Sequence, residues 1–189
     1  MSINQLETPL DEKQVADLKA GDTVYLSGVI YTARDAAHKR LTELLDKNEP
    51  LPVDLKGQVV YYAGPTPAAP GRVIGSAGPT TASRMDRYAP ALIRRKGLRG
   101  MIGKGNRDAE VIEAMKECGC IYFAATGGAG ALISTCIKKA DVVCYEELGP
   151  EAIYRLEVEN MPLTVAIDAK GNSLYESGPE EYRRIASTG

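Results

Sequence analysis

The sequence is poor in the residues that usually advertise chemistry. It has one histidine, His38, four cysteines, a single phenylalanine and no tryptophan in 189 residues. No Ser-His-Asp arrangement, paired-carboxylate motif or metal-ligand cluster stands out. The cysteines, Cys118, Cys120, Cys136 and Cys144, form one C-x-C pair followed by two separate residues. That spacing matches neither the C-x-x-C pairs of zinc sites nor the usual ferredoxin runs. All four sit in or beside apolar segments, so they read as small core hydrophobes. Charge is nearly balanced, at a net −2, with no long basic run, which argues against non-specific nucleic-acid binding. No run of about 18 apolar residues is present to cross a membrane. The start, Met1-Ser2-Ile3-Asn4-Gln5, lacks the basic and apolar parts of a signal peptide, so the expected address is the cytoplasm, where disulfides are not expected.

What remains is an ordinary globular composition, 44% hydrophobic and 25% charged. The length fits one domain over residues 1–189, with residues 1–20 as a polar lead-in. Thr23 to Thr32 is rich in β-branched and aromatic residues and reads as a strand. Asp35 then caps a helix to about Leu45, with Ala36, Ala37, Leu41, Leu44 and Leu45 as its apolar stripe. Gln58 to Ala63 and Arg72 to Ala77 read as short strands around the Gly64–Gly71 loop. A helical pattern from Ser83 to Lys96 is split by Pro90. Gly100 to Ile102 is a strand, and Asp108 to Cys118 a helix capped by Asn106 or Asp108 and ended at Gly119. Ile121 to Ala125 is a buried strand. Gly127 to Gly130 turns into a helix from Ala131 to Lys139. Asp141 to Tyr145 and Leu163 to Asp168 are strands. This alternation lacks a strict βαβ rhythm, so the expected fold is mixed α/β, a mixed sheet with flanking helices.

Three runs carry candidate chemistry. Gly75 to Asp86 reads G-S-A-G-P-T-T-A-S-R-M-D, glycine, proline and hydroxyls between a strand and a helix. A helix start there offers free N–H groups to an anion; a plain capping turn fits the same residues. A helix starting near Thr80 would set Thr80 and Arg84 one turn apart. Ile102 to Arg107 puts Lys104 between two glycines before a helix. It is not a P-loop; it reads as an anion site or as a tight turn with a solvated lysine. Thr32 to Lys39 sets Arg34 at a strand-to-helix junction, where a guanidinium can fork onto a carboxylate. His38, in the same run, reads as packed or exposed more readily than as a base. Together the runs describe a site for a small di- or tricarboxylate with an incomplete catalytic set.

The runs Thr32–Arg40, Gly78–Asp86 and Gly103–Arg107, followed in order by Glu147–Ile153 and Glu157–Glu159, resemble the beta region of class I, iron–sulfur fumarate hydratases. The likeness covers about Leu10 to Tyr175. L(+)-tartrate dehydratase beta subunits are similar too, and the Lys-Gly-Asn-Arg and Glu-Ala-Ile runs tilt the likeness toward fumarase. The resemblance implies a swivelling β/β/α domain. It implies a 4Fe-4S cluster held by a separate alpha subunit, no cofactor or metal held by this chain alone, and a complex of two alpha and two beta chains. It also implies a dicarboxylate substrate, fumarate or L-malate. By motif position Thr80 resembles the catalytic base, and Arg34, Arg84 and Lys104 resemble the substrate-carboxylate binders. Ser83 departs from the glycine of many members. The alternatives are a tartrate dehydratase beta subunit and a small-acid-binding module without catalysis.

Overall fold

The computed structural model describes residues 3–125 and 130–176. Its strands are β1 (Ile3–Glu7), β2 (Thr23–Thr32), β3 (Val59–Tyr61), β4 (Gly100–Gly103), β5 (Ile121–Ala124), β6 (Ile137–Cys144) and β7 (Ile153–Ile167). The helices are α1 (Glu12–Ala16), α2 (Asp35–Asp46), α3 (Ala89–Lys96), α4 (Ala109–Cys118) and α5 (Gly130–Cys136). Two 3-10 segments, Ala82–Met85 and Glu146–Glu151, complete the order. The fold is mixed α/β, as the alternation of elements predicts. Among the described residues, no helix is long and apolar enough to cross a membrane.

Strands β1 to β5 are parallel neighbours, whereas β7 runs antiparallel to β2, β5 and β6. Because β7 pairs with both β2 and β5, the path β2-β3-β4-β5-β7 returns to β2. The sheet therefore folds over on itself. Side chains alternate between two cores, as the two-residue period of a strand requires. Val59, Tyr61, Ile102, Ile121 and Phe123 point into an inner core with Leu26, Ile30, Leu156 and Val165. Val60, Tyr62, Met101 and Tyr122 point the other way, onto Leu41 and Leu45 of α2, Leu92 and Ile93 of α3, and Val111 and Met115 of α4. The result is three layers, β on β on α. Each large side chain so buried contributes about 1.5–3 kcal/mol.

Several element expectations hold in detail. β2 spans Thr23–Thr32. Asp108 caps α4 by accepting from the Val111 N–H at 2.9 Å, and Gly119 ends it with φ 64°. Pro90 lies in the first turn of α3, so it separates that helix from the 3-10 segment before it.

Other expectations need correction. The first 20 residues are not merely a lead-in: β1 pairs with β2, and α1 carries a full capping box on Asp11. Arg34, not Asp35, is the N-cap of α2, and it makes no side-chain cap bond. Arg72 to Ala77 is no strand, because both edges of β3 are taken by β2 and β4. That segment instead folds onto Thr66, which exchanges backbone bonds with Gly75 and Ser76 at 3.1 and 3.0 Å. The helix expected to reach Lys139 stops at Cys136, since the free edge of β7 captures the chain from Ile137 onward as β6. Tertiary pairing here overrides local helix propensity. β7 itself begins ten residues before the predicted Leu163. The predicted glycine turn at residues 127–129 lies outside the described residues.

Candidate active site

Since β2, β3, β4 and β5 are parallel, their C-terminal ends share one edge, the usual place for a site in a parallel sheet. Arg34 leaves the end of β2, and Lys104 the end of β4. Thr80 reaches the same edge through the long β3–β4 connection. Its N–H donates to the Tyr62 carbonyl at 2.6 Å, and its carbonyl accepts from the Lys104 N–H at 3.3 Å. The Lys104 carbonyl accepts in turn from Ala82 N–H at 2.9 Å. Thr80 is thus held extended beside the exit of β4, half-buried, with Lys104 exposed next to it. The Arg34 guanidinium lies against Gly64, where an added Cβ would sit 2.7 Å from Nη1. The edge therefore collects Arg34, Thr80 and Lys104, which the sequence alone leaves dispersed. Helices α2 and α4 also begin at this edge, so the positive ends of their dipoles add to an anion-attracting field.

Arg84 reaches the same region by a different route from the one predicted. No helix starts at Thr80; the 3-10 segment begins at Ala82, and Pro79 is bridged to Ala63. Thr80 and Arg84 are therefore not one helical turn apart. Arg84 donates from Nε to Asp35 Oδ1 at 3.0 Å, and its Nη2 lies 2.9 Å from Oδ2 as an ion pair. This pair ties the 3-10 segment to the start of α2. With Arg84 half exposed, the pair orients more than it stabilises.

Two structural roles escaped the sequence reading. Asp86 and Arg107 lie inside the quoted runs and form a buried ion pair at 2.6 Å, with side-chain exposures of 7% and 0%. The other Asp86 oxygen accepts from the Asp108 N–H at 2.8 Å. Arg107 lies between the Tyr62 and Tyr122 rings, 5.2 and 5.1 Å from their centroids. It also donates to the Tyr62 hydroxyl at 3.3 Å. The pair locks the Thr80-bearing segment to the Lys104-bearing loop. Nothing in a linear sequence marks two residues this far apart as partners. His38 is fully buried, edge-on to Tyr62 and near Tyr88. Burial pushes its pKa down to about 4, and the neutral ring donates from Nδ1 to the Arg34 carbonyl at 2.9 Å. His38 is thus packed rather than exposed, and it supports the backbone at Arg34.

The iron–sulfur group that the resemblance implies would need cysteines brought together as thiolates. Cys118 and Cys120 flank the α4–β5 turn, while Cys136 ends α5 and Cys144 ends β6. Cys120 is buried, and burial pushes its thiol up to about 12, the opposite of what a thiolate ligand needs. Cys118, Cys136 and Cys144 are partly buried and pack against the two cores, so the reading of the four as small apolar residues of the core holds, with Cys120 alone fully buried. Among the described residues, no three His, Cys, Asp or Glu side chains converge. These residues do not fit a cluster.

Residues 2–178 match the family model described as Fumarase C-terminus. A protein of Methanocaldococcus jannaschii, named provisionally as L(+)-tartrate dehydratase subunit beta, is 44% identical over 172 residues. That alignment covers 88% of this chain and 88% of that protein. Fumarate hydratase 2 of Leishmania major is 38% identical over 90% of this chain, but the match spans only 30% of that protein. The aerobic class I fumarate hydratase of Escherichia coli K12 is 39% identical, again over 90% of this chain and 32% of its own length. The chain thus spans under a third of these two hydratases and most of the archaeal subunit.

Proposed function

The chain belongs to the Fumarase C-terminus family, and from that premise we propose that it is the beta subunit of a hydro-lyase that interconverts fumarate and L-malate. The observation that carries the reading is the placement of Arg34, Thr80 and Lys104 along one strand-end edge of the parallel sheet. We place the 4Fe-4S cluster on a separate alpha chain, and the pair in the cytoplasm. Thr80 is the base that takes a proton from C3 of malate. A threonine hydroxyl is a poor base in water, so it needs nearby positive charge and a site closed to solvent. Lys104, adjacent through the backbone, supplies charge, and the partner chain closes over the edge. Arg34, Arg84 and Lys104 neutralise the two substrate carboxylates and the extra charge that grows on one of them as C3 loses its proton. The proton that completes water as the hydroxyl leaves C2 comes from the partner.

A second reading is favoured by one finding. The archaeal relative is itself a separate subunit of matching length and carries a tartrate dehydratase name. On that reading the same residues serve a diol acid. The experiment is anaerobic co-purification with the candidate alpha chain, followed by assays on fumarate, L-malate and L(+)-tartrate. The proposal expects a stable pair that hydrates fumarate. A pair that consumes tartrate and leaves malate untouched selects the second reading, and a chain that binds no alpha subunit sinks both.

A further inference from the structure

The run Glu147–Ile153 belongs to the resemblance, yet the mechanism above gives it no task. Its last acidic residue, Glu151, reaches the start of α2 from 115 residues away. One oxygen, Oε2, accepts from the Ala36 N–H at 2.9 Å. The other, Oε1, lies 3.5 Å from Arg34 Nη2, and both side chains are about three-quarters buried. Arg34 is the N-cap of α2 but makes no side-chain cap bond, so Glu151 does the capping from outside. Gly64 closes the arrangement: a Cβ there would stand 2.7 Å from Arg34 Nη1 and 3.1 Å from the Pro150 carbonyl oxygen. The mount is firm. The buried Thr32 hydroxyl, two residues before Arg34, accepts from the Tyr154 N–H at 3.1 Å and lies 3.5 Å from the Ala152 carbonyl oxygen. Arg40 of α2 pairs with Glu147 at the other end of the segment.

We infer that Glu151 is a positioning residue, holding the Arg34 guanidinium in place for a substrate carboxylate. The inference rests on the proposed function. An arginine is long and flexible, and one held in advance loses less freedom when it binds. The cap bond to Ala36 and the grip on Arg34 use different oxygens, so they are separable. Glu151→Gln keeps a carbonyl acceptor for the Ala36 N–H and removes the charge that holds Arg34. Glu151→Ala removes both.

The test compares wild type, Glu151→Gln, Glu151→Asp and Glu151→Ala in two assays. The first follows labelling of Arg34 by phenylglyoxal in the full chain, by mass spectrometry. The second measures KM and kcat for L-malate in the reconstituted pair. In Glu151→Gln, Arg34 labels several-fold faster, while the melting temperature stays within about 2 °C of wild type. KM rises about tenfold with kcat within about threefold, the size expected for a lost charge-assisted contact felt mainly in binding. Glu151→Asp restores part of the KM. Glu151→Ala shows the same KM defect plus a lower melting temperature. Unchanged Arg34 labelling in Glu151→Gln overturns the inference whatever the activity. So does an unchanged KM with a stability loss confined to Glu151→Ala, which would make Glu151 a cap and nothing more. A wild-type pair inactive on fumarate, malate and tartrate, with faster Arg34 labelling in Glu151→Gln, overturns the hydro-lyase reading and upholds the grip on Arg34.

Discussion

Arg107→Met is the substitution whose outcome the structure sets most tightly. Arg107 has no exposed side-chain surface, and its partner Asp86 keeps 7%. Methionine fills a similar volume between Tyr62 and Tyr122 but leaves the Asp86 carboxylate buried without its counter-charge. Only the Asp108 N–H then remains on it. Breaking a buried pair from one side costs roughly 3–5 kcal/mol, since the surviving charge has lost both water and partner. For a chain of this length that is a fall in melting temperature of roughly 6–20 °C. Urea unfolding followed by circular dichroism measures it directly, with the slope unchanged because the folded surface is unchanged. The double variant Asp86→Asn with Arg107→Met removes both charges and is expected to lose less than Arg107→Met alone. An Arg107→Met protein within about 1 kcal/mol of wild type, or a double variant as unstable as the sum of the singles, refutes the reasoning.

Three further outcomes are expected. His38 is buried neutral with its pKa near 4 against 6.5 for the free side chain, so the unfolded chain binds the extra proton first as pH falls. Its contribution is complete above about pH 6.5 and is lost toward pH 4, amounting to about 2 kcal/mol between pH 7 and pH 5. Unfolding curves at the two pH values should show a smaller acid loss in His38→Leu than in wild type, and equal losses would contradict the assignment. Thr80→Ala in the reconstituted pair should lower kcat by about 100- to 10,000-fold, the range for a missing general base. Its melting temperature should hold, because the bonds to Tyr62 and Lys104 run through the Thr80 backbone; full activity would remove Thr80 as the base. Gly28→Ala should cost about 1–3 kcal/mol by calorimetry for an alanine forced into a strained backbone. Gly28 has φ +103°, and an added Cβ would meet the Thr8 Oγ1 at 2.5 Å and Thr8 backbone atoms at 3.1 Å.

Much of the helical half of the fold was legible because its signals are local. Asp108 and Gly119 bound α4, Pro90 opens α3, and the Leu41–Leu45 stripe faces the core. A cap, a proline or a 3.6-residue stripe acts within one turn, so a linear reading captures it. The antiparallel half is hard to see in the sequence for the opposite reason. β6 exists because β7 offers a free edge, and Arg72 to Ala77 stays irregular because β3 has none. Edge availability belongs to the assembled sheet.

The candidate site divides along the same line. The sequence by itself determined which groups are available: Arg34, Thr80, Arg84 and Lys104, with glycines and hydroxyls at loop-to-helix junctions. It also determined the family. Only the tertiary structure decided how those groups are held. Parallel strands bring Arg34, Thr80 and Lys104 to one edge, Asp35 takes Arg84, Glu151 takes Arg34, and Asp86 with Arg107 locks the segment between them. Identity travels with the residue, whereas charge pairing depends on distance through space, and distance is set when the sheet closes.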